Sequence, residues 1–380
     1  MMIPDGEAPP GPVAPAFPPS IPSIDYGARM RTGFFTYDTT NPKGLGDLGA
    51  LLSADLWMTG AVTKIVKWQI GVTGNYSGVA DPTKTNPNIR GDFGTRVELL
   101  DAMARFEFLP EFNIYAGRMI VIADRYTPAG PWGMDEFIYP GIMNPGAVPA
   151  ALMRSGSAGR DIGMNIWGAI AGGLVKYYLG AYEFNDPTLS PLLSGRLQVS
   201  LLSGEPGFFQ RHTYYGYKDL ISIGVGGQYQ KNGSVTTIPA MPMAMPPTMA
   251  MTLADNYSYL TADLVIDKKL GDAGTVSLNG SFAKFDGDYN PWKSHFLVSV
   301  GYLIPGVVGI GKIRPSIRFQ GAQSAVEGSA MSTVLDAQIG YVIMPWFARV
   351  ALGYRNYSTD LGKGATKGHQ LFLGITVGDP

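Results

Sequence analysis

The run VKWQIGVT at residues 66–73 alternates apolar and polar side chains without a break. Its even-numbered residues are apolar, and its odd-numbered residues are polar or small. Successive side chains of a β-strand point to opposite faces, so the alternation predicts a strand with one apolar and one polar face. The pattern recurs at residues 196–201, 335–341 and 370–377. The chain is therefore predicted to be all-β.

Sixteen segments follow this pattern, an even number, and many are longer than the roughly 5 to 6 residues usual in globular sheets. They reach the about 9 to 11 residues that a tilted strand needs to cross a bilayer. Their approximate ranges are 24–37, 48–58, 62–76, 93–107, 112–124, 159–170, 173–184, 193–204, 217–230, 255–268, 273–286, 291–303, 311–322, 330–342, 345–357 and 366–377.

Alternating strands of this kind fit two architectures: a soluble sheet packed on a core, and a membrane barrel with an apolar outside and a wet interior. The connections favour the barrel, because tight turns and longer loops alternate along the chain. Two connections depart from the alternation: residues 205–216 are long for a turn, and residues 287–290 are short for a loop. Short turns on one rim and long loops on the other are typical of transmembrane barrels, which predicts a transmembrane antiparallel β-barrel of about sixteen strands.

The composition excludes several other classes. The 29 Lys and Arg nearly balance the 30 Asp and Glu in the 380 residues, so nucleic acid is not an expected partner. Only 16% of the residues are charged, against roughly 25% in soluble domains. Cysteine is absent, which excludes disulfides, thiolate zinc sites and cysteine nucleophiles. The sequence contains no run of about 18 apolar residues, the length that a membrane-spanning helix needs.

Enzymatic signals are weak. The three histidines, His212, His295 and His369, lie far apart without metal-ligand spacing. The sequence contains no Gly-x-Ser-x-Gly, no Walker loop and no His-Glu-x-x-His. We therefore expect no catalytic residues, no metal site and no cofactor.

Across residues 24–377 the chain resembles bacterial outer-membrane porins of the sixteen-stranded kind. The resemblance is one of architecture. It implies a location in the outer membrane, contact with its lipid, and a homo-oligomer, in this family a trimer. It also implies that the loop after the fifth strand folds into the barrel as a constriction. The longest segment without strand character, residues 125–158, lies at this place.

Charged side chains define the candidate site of this predicted channel. The acids of the constriction loop are Asp135 and Glu136, which we expect to face basic side chains across the lumen. The predicted pore-lining basic arc comprises Arg29, Arg31, Lys67, Arg314, Arg318, Arg349 and Arg355. Such an arc would impose a transverse field that sorts solutes by charge. Alternatively, each cation pairs with an inward acid such as Asp55 or Asp336 and only solvates the lumen.

Two segments lie apart from the barrel pattern. Residues 1–22 carry eight prolines and are predicted to be an extended periplasmic extension of the barrel domain at residues 23–380. Residues 231–254 form a predicted Met/Pro-rich loop, which could pack on the barrel, contact a partner or bind soft metal. The last strand also departs from the porin pattern, because the chain ends on Val377-Gly378-Asp379-Pro380 without a terminal aromatic residue.

The sequence therefore predicts a porin that forms a water-filled channel for passive diffusion of small hydrophilic solutes and ions. Three alternatives remain: a substrate-selective anion channel, a barrel with a structural or anchoring role, and a soluble all-β binding protein.

Overall fold

The computed structural model describes residues 24–39, 47–77, 96–140, 159–183, 190–238, 251–287, 292–360 and 364–379. The predicted N-terminal extension lies outside these residues. So do residues 141–158 of the predicted constriction loop and residues 239–250 of the predicted Met/Pro-rich loop.

The described residues contain seventeen strands in one antiparallel sheet. In chain order they are β1 (Ile24–Thr39), β2 (Asp47–Ala61), β3 (Val66–Ser77), β4 (Arg96–Leu109), β5 (Phe112–Ile120), β6 (Arg160–Ile170), β7 (Val175–Tyr182), β8 (Leu192–Ser200), β9 (Leu220–Ile238), β10 (Met251–Lys269), β11 (Thr275–Asp286), β12 (Trp292–Leu303), β13 (Val307–Val308), β14 (Gly311–Ser324), β15 (Ser332–Met344), β16 (Ala348–Thr359) and β17 (Thr366–Gly378). Strand β13 has only two residues and forms a small hairpin with β14. The other sixteen are the predicted barrel strands, so the predicted strand number is confirmed.

The sheet closes on itself. Each long strand pairs with its neighbours in the chain, and β1 also pairs with β17, with Met30 opposite Val377. Asp379 secures this seam, because its backbone N–H donates to Ala28 O at 3.0 Å and its carboxylate accepts from Ala28 N at 2.6 Å. The last strand therefore lies where it was predicted.

The two faces of the barrel wall differ in polarity as predicted. Along β8, outward-facing Leu197 is 48% exposed, whereas inward-facing Gln198 is 1% exposed. Other strands repeat this division, with outward Leu260 and Leu352 and inward Asp263. An apolar belt around a polar interior inverts the arrangement of a soluble protein and is the arrangement of a transmembrane barrel.

The helical segments are short. Helix α1 (Tyr126–Ala129) has four residues, and 3-10 turns occur at Ala171–Gly173 and Gly271–Ala273. Among the described helices, none is long and apolar enough to cross a membrane.

The connections define two rims. Short turns at residues 62–65, 110–111 and 345–347 mark the short-turn rim, where β1 also begins and β17 ends. The long loops leave from the opposite, long-loop rim. The connection between β8 and β9, residues 201–219, begins and ends at the short-turn rim.

Several strand boundaries differ from the sequence expectations. Strand β5 ends at Ile120 rather than at residue 124, because the chain turns into the barrel at Val121. Strand β8 ends at Ser200 rather than at residue 204, which lengthens the next connection. The predicted loop at residues 231–254 is shorter, because β9 continues to Ile238 and β10 begins at Met251; the two strands pair up to these residues, with a bulge between Asp255 and Tyr257.

Candidate functional site

The inward loop after β5, residues 121–140, lies inside the barrel, as predicted. It begins with a fully buried apolar run, Val121–Ala123. Asp124 then accepts a hydrogen bond from Thr127 N at 2.7 Å, which starts helix α1. Gly130, with φ of 55° and ψ of −177°, ends the helix in a positive-φ conformation that glycine adopts without strain.

The acids of this loop contact the barrel wall directly. Asp135 Oδ1 lies 2.6 Å from Arg314 Nε on β14, and Glu136 Oε2 lies 3.7 Å from an amino group of Arg318. All four side chains are nearly inaccessible to water. We expected these acids to face the basic side chains across open lumen; instead they neutralise them, because the loop packs against that wall.

Backbone carbonyls of the loop accept from two further wall arginines. Arg349 on β16 donates to Met134 O and, at 3.3 Å, to Trp132 O. Arg31 on β1 donates to Phe137 O and lies over the Phe137 ring at 4.6 Å. Carbonyl partners leave the positive charge of each arginine in place.

Glycines allow the loop to approach this closely. A Cβ atom added to Gly374 on β17 would lie 2.3 Å from Phe137 Cγ, and one added to Gly33 on β1 would lie 2.7 Å from Phe137 Cε1. The Phe137 ring therefore occupies space that any larger residue at these two positions would fill.

The structure places all seven residues of the predicted basic arc on the lumenal side of the wall. Arg29, Arg31, Arg314, Arg318 and Arg349 contact the inward loop. Arg355 pairs with Asp336 at 2.5 Å, and Lys67 pairs with Glu107 at 2.5 Å near the short-turn rim. Some residues of the arc thus contact the inward loop, and others pair with acids of the wall. The sequence left both arrangements open, and the structure combines them.

A second inward segment, residues 201–219, enters from the short-turn rim. Sequence reasoning noted only that this connection is long for a turn. Thr213 Oγ1 donates to Asp267 Oδ2 on β10 at 2.6 Å, and Tyr214 N donates to the same oxygen at 2.9 Å. Trp346, in the turn between β15 and β16, donates to Thr213 O at 3.0 Å. The segment is therefore fixed to the wall on several sides.

The two inward segments meet inside the barrel. Arg125 at the base of the inward loop forms a bidentate ion pair with Glu205, with N···O distances of 2.7 and 2.9 Å. His212 N donates to Gly133 O at 2.9 Å. The side chains of Arg125, Glu205 and His212 are almost completely buried. The lumen at this depth is consequently occupied by two segments rather than one.

The local environment shifts the pKa values of the inward segments in opposite directions. Burial acts to raise the pKa of Glu205, but the charge and hydrogen bonds of Arg125 outweigh it and hold this pKa at about 2. Burial raises the pKa of Asp124 and of Glu136, and Arg318 only partly offsets the effect at Glu136. Burial, together with the charges of Arg125 and Arg318, lowers the pKa of His212 well below its usual value.

Residues Arg125, Glu205 and His212 were not predicted as a site. The only signal in the sequence was the length of the 205–216 connection, and this length does not show whether the segment enters the barrel or stays outside it. The described residues hold no group of three or more His, Asp or Glu side chains that could bind a metal ion.

Solved structures of bacterial outer-membrane proteins share this fold. Pseudomonas putida OprB, in a high-pH structure, matches with a TM-score of 0.62 at 10% identity over 94% of each chain. Salmonella typhi OmpF in complex with daunomycin matches with a TM-score of 0.55 at 11% identity, over 94% of this chain and 97% of that one. In-vitro folded Vibrio cholerae OmpT, in its trimer form, matches with a TM-score of 0.55 at 12% identity, over 95% and 100%.

Identities this low show a common fold, and at that level the predicted similarity to sixteen-stranded porins is confirmed. No protein-family model and no curated protein matches the chain.

Proposed function

We propose that the protein is a porin of the bacterial outer membrane that lets small hydrophilic solutes and ions cross by passive diffusion. The observation that supports this most directly is the division of side chains in a closed barrel, apolar outside and charged inside. Such a barrel satisfies all its backbone hydrogen bonds within lipid and offers polar solutes a route shielded from it. The proposal assigns no chemical reaction to the protein.

The two inward segments limit the size of the route. Buried contacts between Arg125 and Glu205 and between His212 and Gly133 occupy space that an open sixteen-stranded barrel would leave to water. We therefore expect a small conductance and exclusion of solutes much larger than hydrated ions.

Purified protein in a planar bilayer tests this proposal. We expect discrete conductance steps in KCl that increase when the segment 201–219 is shortened to a tight turn. Detergent-folded protein that gives no steps at any voltage, in either form, would contradict the channel function and favour an anchoring role.

Anion selectivity is a second candidate, and one observation favours it. Arg31, Arg211 and Arg349 have no carboxylate within ion-pair distance among the described residues; they contact carbonyls, a hydroxyl or aromatic rings instead. Uncompensated cations in a narrow lumen attract anions and repel cations. The reversal potential in a KCl gradient decides: a chloride-preferring value supports selectivity, and a value near zero supports general diffusion.

We also infer a homo-oligomer, a trimer by analogy with the trimer form of Vibrio cholerae OmpT. Light scattering of the detergent-solubilised protein, corrected for bound detergent, gives the subunit number; a monomeric mass would contradict this inference.

A further inference from the structure

A cavity of about 470 Å³ opens at the short-turn rim, away from the contacts between the two inward segments. It lies between the ends of β3, β4, β5 and β6 and residues 207–209 of the second inward segment. Its walls combine an aromatic floor with a cationic side.

Three nearly buried rings form the aromatic floor. Tyr115 on β5 lies 5.6 Å from Trp167 on β6, and Phe208 lies 4.8 Å from Tyr115 and 5.3 Å from Trp167, measured between ring centroids. Edge and tilted contacts of this kind hold the rings in fixed orientations. The floor therefore offers a preformed apolar surface for a flat ring.

Basic groups lie beside this floor, with the Arg105 guanidinium 5.2 Å from the centroid of the Tyr115 ring. Glu107 is the cavity's only carboxylate among the described lining residues, and it already accepts from Lys67, Arg105 and Tyr115. Lys64 also lines the cavity. Three cations against one carboxylate leave a net positive charge, which a bound anion would neutralise.

Trp167 contributes its ring rather than its N–H to the floor. The residue is 6% exposed, and its indole N–H has almost no accessible surface and no hydrogen-bond partner among the described residues. A ligand in the cavity therefore contacts the ring of Trp167.

We propose that this cavity binds small aromatic carboxylates, with the ring against Trp167 and Phe208 and the carboxylate towards Lys67 and Arg105. The cavity is larger than a benzoate ion and supplies donors where benzoate has acceptors. A simple inorganic anion would leave the aromatic floor uncovered, and a neutral aromatic would leave the cations uncompensated. The site requires only the folded barrel, so its occupancy does not depend on the proposed conduction.

Titration calorimetry on the full chain in detergent tests the site, with sodium benzoate as the probe. Acetate supplies the charge without the ring, and benzyl alcohol supplies the ring without the charge. We expect benzoate to bind at least about tenfold more tightly than either, because only benzoate uses both sides of the cavity. Equal affinity for all three would overturn the proposal.

Variants locate the binding. Lys67→Gln should weaken benzoate binding about tenfold, and Trp167→Phe, which replaces the indole with a smaller ring and reduces the aromatic floor, about threefold to fivefold. Lys284→Gln, an exposed lysine near the long-loop rim, is the matched control and should leave the affinity unchanged. If Lys67→Gln and Trp167→Phe bind benzoate as Lys284→Gln does, the cavity is not the site.

Bilayer currents separate this proposal from the proposed function. Benzoate added on the short-turn side should reduce the current more than benzoate on the other side. Conductance without benzoate binding would refute the site and leave the channel standing. Binding without conductance would refute the channel and leave the site standing.

Discussion

The inward loop at residues 121–140 and the second inward segment at residues 201–219 occupy one lumen from opposite rims, but different wall groups hold them. The loop offers carbonyls and acids to wall arginines such as Arg314. The second segment offers hydroxyl and backbone donors to a wall acid, Asp267, as well as a carbonyl to Lys176 on β7. The comparison shows that a polar barrel wall can fix an inward segment through an acid as well as through cations.

The two segments share one ion pair, Arg125 with Glu205, and its loss should have the largest effect. Glu205→Gln leaves the Arg125 charge buried without a carboxylate, which costs about 3 to 5 kcal/mol. We expect residues 201–219 to lose protection in amide hydrogen exchange and the conductance to rise.

The exposed Glu327, in the connection between β14 and β15, provides the control Glu327→Gln. Unchanged exchange in the Glu205→Gln protein would show that the ion pair does not hold the segments together.

A substitution on the wall should loosen the inward loop alone. Gly374→Val places a side chain where the Phe137 ring lies, and overpacking of this kind costs about 1 to 3 kcal/mol. We expect faster exchange in residues 131–140 and unchanged exchange in residues 201–219. Gly280→Val on β11, where an added Cβ would lie 3.9 Å from Leu297 O, is the control. Equal loosening of both segments would mean that they move as one unit.

Acid should destabilise the second inward segment but not the inward loop. His212 packs on the Tyr126 ring at a centroid distance of 4.2 Å, and burial beside Arg125 and Arg318 lowers its pKa. Below about pH 6.5, His212 binds a proton when the segment is released but not when it is folded. The equilibrium constant for opening therefore rises as pH falls, about tenfold per pH unit.

Hydrogen exchange of residues 201–219 between pH 7 and 5, corrected for the intrinsic exchange rate, measures this slope. His212→Gln should abolish this slope.

The contribution of Glu205 is lost in a separate pH range. Its pKa is held at about 2, so its stabilisation is present above the usual carboxyl pKa and is lost as pH falls towards 2.

The inward loop should respond to acid in the opposite sense. The pKa values of Asp124 and Glu136 are raised in the folded loop, so the folded loop favours their protonated forms. Their contribution to the stability of the loop is therefore lost as pH rises, not as pH falls. A loop that opens together with residues 201–219 at pH 5 would contradict this assignment.

The smallest expected effect is that of a single lumenal charge on ion selectivity. Arg31→Gln removes one of the lumenal arginines that have no carboxylate within ion-pair distance among the described residues. In a partly screened lumen we expect about a twofold fall in the anion-to-cation permeability ratio. The reversal potential in a KCl gradient measures it. Arg355→Gln serves as the comparison, because Arg355 is paired with Asp336; an equal shift in both variants would argue against a special role for unpaired cations.

Sequence reasoning predicted the barrel strands closely because alternation acts along the chain. The outward residues of the last strand, among them Leu371 and Leu373, could be assigned from parity alone, and so could inward Gln370. The position of the inward loop followed from its length and from the resemblance to porins. Its partners did not, because the contact of Asp135 with Arg314 joins residues 179 positions apart.

The second inward segment shows where sequence reasoning stops. Residues 205–216 were recognised as too long for a turn, but length alone does not distinguish a segment outside the barrel from one inside it. Arg125 and Glu205 lie 80 residues apart and carry no local signal of pairing.

The sequence by itself determined that this chain is an antiparallel barrel with an apolar belt and a charged interior, because the period of two along each strand sets which side chains face lipid. Only the tertiary structure decided what occupies the interior. Closure of the barrel brings distant strands and both rims within contact distance, so the pairing of buried charges, the second inward segment and the cavity beside Trp167 all depend on chain geometry that no local pattern records.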